Sequence, residues 1–409
     1  MSLQMVIQVV NFLAGMMTLW YLSKPEYALI TVSATILGSM AMLSNAGVAI
    51  GVKSIGGPHT HDADRFAAVV ATALRLRRLM AVAIFPVMGL VLAFLLHRAD
   101  ADLITIVAIS ATALGIAIFE INASLLNTAL QLRNRVTATQ SAELYSAILR
   151  LALVACLLLP GLLSAITATV ITLFSAWMRQ WLLSRTVHDD LNLKTKEIPE
   201  DRVQMTRLIR LEAPNTVFYC LQGQITIAIL SWHGSVSQIA DFGALGRLAI
   251  ITSLLGSFFS SVLVPKFNIL QSRSLLVRRY LVLLSLALGI VAAVLGFSLL
   301  FPDVLLFFLG EKYNHLHREL PLMVANFMTT FVIGITWSLN ACKAWIAVIV
   351  RANIPLTLLA QVGLAMVCPL DTLAGVLWFS LLSQIPVLML IAIDAWRGLH
   401  QTRELSLDC

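Results

Sequence analysis

Apolar residues run through this chain in long blocks separated by short polar intervals. Each block is near the roughly 20 residues that carry a helix across a hydrocarbon core of about 30 Å. Twelve are read from the sequence. The first six are Met5 to Leu22, Ala28 to Val52, Leu79 to Leu96, Leu103 to Leu130, Leu144 to Leu162 and Ser164 to Leu183. The second six are Leu208 to Trp232, Ile239 to Pro265, Tyr280 to Phe301, Leu320 to Asn340, Ile354 to Cys368 and Leu373 to Trp396. Lipid offers the backbone no hydrogen-bond partner, so blocks of this length must be helices, and the short alternating pattern of a membrane barrel is absent. The pattern predicts an all-α integral membrane protein with about twelve transmembrane helices.

Composition agrees. The chain is 59% hydrophobic and 12% charged, against about 25% charged in soluble domains, too little polar side chain to cover a water-facing surface. Lys and Arg are enriched in short cytoplasmic loops. With the N-terminus inside, 22 of them fall in the cytoplasmic segments, counting Arg179 and Arg210 at the cytoplasmic ends of their spans, four in the outer segments (Lys24, Arg98, Lys312, Arg318), and two (Arg150, Arg247) deeper within spans. This asymmetry places both termini in the cytoplasm. It also accounts for the net charge of +7 without nucleic acid, because the basic residues are spread over six loops. No Lys or Arg precedes Lys24 and no small-residue cleavage site follows the first block, so that block is expected to stay as helix one.

The longest polar interval in mid-chain, Ser184 to Arg207, divides the helices six and six. The expected organisation is an N-terminal lobe over 1–183, a cytoplasmic linker over 184–207, and a C-terminal lobe with a short tail over 208–409. Six helices per half enter the membrane in the same sense, a transporter-like plan.

Ionisable groups inside a span are costly and usually face the bundle interior or a wet cavity. In the fourth span Glu120, Ser124, Asn127 and Gln131 share one face, and in the fifth Glu143, Ser146 and Arg150 do. Glu120 and Arg150 are expected at comparable depth, as an ion pair fixing two helices or as groups that handle substrate or a proton. The seventh span carries Glu212, Asn215, Tyr219, Gln222 and Thr226 in a stripe, with Pro214 near its cytoplasmic end as a hinge candidate. The tenth adds Asn326, Thr330, Trp337 and Asn340. Arg247 in the eighth span is the best single candidate for an anion contact, unless it snorkels outward or pairs with Asp241. Arg150, Arg207, Arg210, Arg247 and Lys343 outnumber Glu120, Glu143 and Glu212, a balance that suits a phosphate-bearing substrate in a cavity shared by the two lobes.

Enzyme signatures are absent: no Walker loop, dinucleotide fingerprint, HExxH or Ser/His/Asp set is found. The cluster His59, His61, Asp62 and Asp64 reads as a solvated turn rather than a metal site, and the five cysteines show no pairing pattern. No metal and no cofactor is expected.

Three stretches resemble a known family. Pro25 to Gly51 is similar to the start of polysaccharide-exporter flippases, with Tyr27, Ala28, Leu29, Asn45 and Gly47 in the motif places and Ala28 replacing the usual Gly. Leu208 to Pro265 resembles the family's seventh and eighth helices through Pro214, Phe242, Gly243, Leu245 and Pro265, and Phe307 to His315 resembles the element after helix nine through Leu309, Gly310 and Tyr313. Glu212 departs from the pattern, being acidic where such helices are often apolar. The family is the polysaccharide and O-antigen flippase branch of the multidrug/oligosaccharidyl-lipid/polysaccharide exporter superfamily. The resemblance implies a V-shaped, alternating-access bundle in the bacterial inner membrane. It implies export of an undecaprenyl-diphosphate-linked oligosaccharide for O-antigen of lipopolysaccharide, capsule or exopolysaccharide, with a polysaccharide polymerase and other glycan-assembly proteins as possible partners beside the membrane lipids.

On this reading Arg150 and Arg247 bind the headgroup, and Arg210, Lys343, Asn215, Gln222 and Asn340 line the cavity. Tyr219 and Trp337 stack on sugars. Glu120, Glu143 and Glu212 serve coupling to a proton or sodium ion, or ion pairing. The alternatives are a cation-coupled multidrug antiporter of the same superfamily, which calls for an acidic and more apolar pocket, and an inert scaffold for glycan assembly.

Overall fold

A computed structural model describes residues 2–191, 198–259, 263, 264, 267, 273–343 and 345–401. Sixteen α-helices and no strand occur among the described residues. They are α1 (Ser2–Tyr21), α2 (Lys24–Asn45), α3 (Val48–Gly51), α4 (Ala63–Arg98), α5 (Leu103–Leu132), α6 (Val136–Leu158), α7 (Ala165–Asp190) and α8 (Pro199–His233). Then come α9 (Val236–Gly246), α10 (Ala249–Phe258), α11 (Arg273–Leu300), α12 (Pro302–Leu309), α13 (Glu319–Cys342), α14 (Ala347–Ala365), α15 (Leu373–Leu382) and α16 (Ile385–Gln401). Among the described residues each expected span lies largely in helix. Nine helices or helix pairs among the described residues are long and apolar enough to cross a membrane. Helices α7 and α8 are long enough but more polar, and the eighth span is interrupted, so these three fall outside that count.

Local chemistry sets the helix starts. Ser23 and Glu26 form a capping box at α2, Ser164 and Thr167 do so at α7, and Asp62 and Asp102 accept the N–H of Arg65 and Thr105 at the starts of α4 and α5. Asp62 thus serves as a cap. Helix α14 has no cap of its own; the buried carboxylate of Asp394 accepts the N–H groups of Val348 and Ile349 at 2.9 Å each, supplying it from α16.

The structure interrupts two spans that read as continuous. The second breaks at Ala46 and Gly47, where Gly47 has φ +70° and a Cβ would sit 2.8 Å from the Ile209 backbone. Only glycine tolerates both that conformation and that approach. The eighth breaks at Arg247 and Leu248, so Arg247 sits between α9 and α10 rather than in a helix interior.

Packing divides the chain into two compact units, 1–240 and 241–409. Helix α8 packs along α2, α3 and α4 in the first unit, whereas the division read from the sequence splits it between the linker 184–207 and the lobe 208–409. Two contacts explain its position. Arg65 at the start of α4 forms a bidentate pair with buried Asp201 at the start of α8, and Met205 inserts into a core of Val48, Val52, Phe66, Val70, Leu126 and Val187. Of the linker, 192–197 lies outside the described residues, as do Pro265 and the tail 402–409.

In the second unit, α13 is the central helix, contacting α10, α11, α15 and α16. Its core gathers Phe259, Tyr280, Leu283, Phe331, Ile335 and Leu339.

Candidate functional site

Successive residues on a helix turn by about 100°, so α8 presents distinct faces. One carries Ala213, Thr216, Val217, Cys220, Gln224, Ala228 and Ser231; it looks into a cavity of about 590 Å³. Glu212, Tyr219, Gln222 and Thr226, the stripe singled out in the sequence, lie on roughly the opposite side. The other walls are α2, through Ile36, Leu43 and Ala46, and α4, through one face from Met80 to Arg98.

The cavity is apolar along its length. Its one charged lining residue, among the described residues, is Arg98 at the end of α4, whose guanidinium lies 5.6 Å from the Trp232 ring centroid. Phe94 packs against the same indole. Midway, Gln224 donates to the Thr35 carbonyl at 3.0 Å and to the Ser39 hydroxyl, while its own Oε1 is buried without a protein partner. The Ser231 hydroxyl two turns away is likewise unpartnered. A binding space with apolar walls, two unsatisfied polar atoms and a cation at one end suits an amphiphile with an anionic head.

A second polar region of the first unit lies among α5, α6 and α7. Glu120 accepts from Arg179 at 3.0 Å. Asn127 donates to Glu143 at 3.5 Å and accepts from Gln131 at 3.2 Å. Ser175 donates to the Ser146 carbonyl at 3.0 Å, and Thr112 to Thr169 at 3.3 Å. These bonds tie the three helices together. Arg179, near the cytoplasmic end of the sixth span, stands beside Glu120, the carboxylate expected opposite Arg150. The signal was present, since Thr169, Thr172, Ser175 and Arg179 form a polar stripe at helical spacing. Arg150 is half-buried and engaged within the protein.

Arg77 also escaped the sequence reading. It is 2% exposed, and its Nε donates to the Ser44 carbonyl at the C-terminal end of α2 at 3.1 Å, where the helix dipole favours a cation.

The remaining candidates are dispersed. Arg210 and Tyr219 are exposed on α8, and Glu212 and Gln222 are half-buried there. The side chain of Asn215 lies outside the described residues. Helix α8 runs through Pro214 without interruption. In the second unit Arg247 is half-buried and engaged within the protein, while Asp241 is buried and lies 3.0 Å from His315 Nε2. Lys343 lies 5.9 Å over the Phe267 ring, and Trp337 is exposed.

Asn340 is buried with both ends of its amide engaged: it donates to the Ile391 carbonyl at 3.0 Å and accepts from Tyr280 at 3.1 Å. Asn326, four turns earlier on the same face, donates to the Leu377 carbonyl at 3.0 Å and accepts from Gln384 at 3.1 Å. The pair clamps α13 to α15 and α16. Among the described residues no three His, Cys, Asp or Glu side chains assemble as a metal-binding group.

Solved structures resemble the whole chain. An inward-facing multidrug resistance MATE family transporter of the MOP superfamily superposes with TM-score 0.68 at 16% identity, covering 97% of this chain and 96% of that one. The chain has a MATE-like fold. A eukaryotic MATE transporter matches it with TM-score 0.59 at 13% identity over 99% of both chains. An outward-facing MATE transporter matches with TM-score 0.53 at 16% identity, over 100% of this chain and 94% of that one. No protein-family model and no curated protein matches the sequence. The MATE-like fold is the all-α architecture that the hydrophobic pattern predicts and that the superfamily resemblance implies.

Proposed function

We propose that this protein is a membrane exporter that moves an undecaprenyl-diphosphate-linked oligosaccharide from the cytoplasmic to the outer leaflet of the bacterial inner membrane, serving surface polysaccharide synthesis. The observation that carries this reading is the cavity of α2, α4 and α8: apolar walls for a hydrocarbon tail and Arg98 as the charged group at one end. A guanidinium matches a phosphate in charge and in its forked geometry. Alternation between inward and outward openings is supported by fold neighbours in both states. In this proposal both termini are cytoplasmic, Arg98 takes the headgroup in place of the arginines read from the sequence, and Glu143 or Glu212 exchanges a coupling ion.

The second reading, a cation-coupled multidrug antiporter, is favoured by the inward-facing and outward-facing neighbours, both multidrug resistance transporters. Its difficulty is the cavity, where a cationic drug meets an arginine and no carboxylate. Deleting the gene separates the two. Accumulation of lipid-linked oligosaccharide with loss of surface glycan is expected; normal glycan with new drug sensitivity would transfer the assignment to the antiporter.

A further inference from the structure

Five arginines cluster where α4 and α8 begin, and the structure gives them different work. Arg65 is taken by Asp201, and Arg77 turns inward to the Ser44 carbonyl. Arg75, Arg78 and Arg202 line a groove of about 330 Å³ together with Leu76, Leu79 and Val82. None of the described lining residues is acidic.

The position of the groove says what it meets. Leu79 and Val82 are 60% and 74% exposed, and the apolar exposed run continues along the same side of α4 through Pro86 and Leu90. By helical rise, Arg75 stands about 35 Å from Arg98, slightly more than the hydrocarbon thickness of about 30 Å. The arginines therefore sit at the boundary of the apolar band, at phosphate depth, while Leu79 and Val82 reach into the acyl region.

We propose that this groove binds an anionic phospholipid of the adjacent leaflet. The phosphate is held by the guanidinium forks of Arg75, Arg78 and Arg202, and an acyl chain lies against Leu79 and Val82. A guanidinium has five N–H donors, so each can hold a protein contact and a phosphate oxygen together. Basic pockets between membrane helices select anionic headgroups in this way. The site lies on a different face of α4 from the cavity of the exporter proposal and does not depend on it.

The test is lipid binding to the purified full-length protein in detergent, counted by native mass spectrometry during titration with phosphatidylglycerol or phosphatidylcholine. The expected preference for phosphatidylglycerol is about ten-fold or more, and it shrinks as salt is raised. The combined Arg75→Gln, Arg78→Gln and Arg202→Gln variant is expected to bind the two lipids equally. If that variant misfolds, Arg78→Gln alone should cut the preference about three-fold, and the triple Lys variant, which keeps the charge without the fork, should fall between. Equal binding of both lipids by the native protein, or an unchanged preference in the variants, would overturn the proposal. Displacement of the lipid by inorganic phosphate at equal concentration would also overturn it, reassigning the groove to a free anion. Transport is not part of the readout, so failure here leaves the exporter reading untouched.

Discussion

Within the first unit, the layer of α5, α6 and α7 and the cavity of α2, α4 and α8 treat polarity in opposite ways. In the layer, Glu120 meets Arg179, Asn127 meets Glu143, and hydroxyls close on neighbouring helices. In the cavity, apolar walls surround Gln224 Oε1 and Ser231 Oγ without protein partners, and Arg98 stands at the end. Intramembrane polar side chains here do two jobs. Those that find each other hold helices together, and those left over define where something else can bind.

The sharpest break of this contrast is at Gly47, which lets the end of α2 meet α8 beneath the cavity. Gly47→Ala places a Cβ against the Ile209 backbone in a left-handed conformation, and a loss of about 2–5 kcal/mol is expected from strain and overpacking together. Thermal unfolding in detergent measures it. Gly38→Ala, inside α2 with open space at the Cβ position, is the control and should leave the midpoint unchanged or raise it slightly.

The layer makes the next prediction. Arg179 and Glu120 are 21% and 33% exposed, so a double-mutant cycle with Glu120→Gln and Arg179→Gln should give a coupling of about 1–2 kcal/mol, between surface and fully buried pairs. Coupling near zero would return Glu120 to the pool of groups free to act in transport.

The smallest effect belongs to the second unit, outside the membrane. His317 Nε2 lies 2.7 Å from Asp303, and this hydrogen bond raises the pKa of the imidazole above its usual value. A raised folded-state pKa contributes stability below the unfolded value and loses it as pH rises through the folded one. His317→Gln should remove a slight stability advantage on the acid side of neutrality, and a histidine titration by NMR should show the elevated midpoint falling back in Asp303→Asn.

The fold was legible because a membrane span is a property of some 20 consecutive residues. The breaks were not. Asn45 to Gly51 and Arg247 to Leu248 are bracketed by apolar sequence on both sides, and only the approach of Ile209 reveals why Gly47 is required. Polar stripes were legible as stripes, yet their roles depended on sequence-distant neighbours. Asn340 looks like a cavity residue until the Ile391 carbonyl and Tyr280 are placed beside it. The cavity itself left almost no trace, since its walls are mostly ordinary Val, Leu, Met and Ala residues of α2, α4 and the face of α8 that the polar stripe avoids.

In the proposed exporter an anionic-headed lipid crosses the membrane with its tail in that cavity and its phosphate on Arg98. The direct measurement is the translocation rate of a fluorescent polyprenyl-diphosphate sugar in liposomes containing the purified protein. Protein-dependent translocation is expected, falling at least about ten-fold in Arg98→Gln through loss of one charge-assisted phosphate contact, with Arg98→Lys partly restoring it. Translocation at the protein-free rate, or full activity in Arg98→Gln, would contradict it.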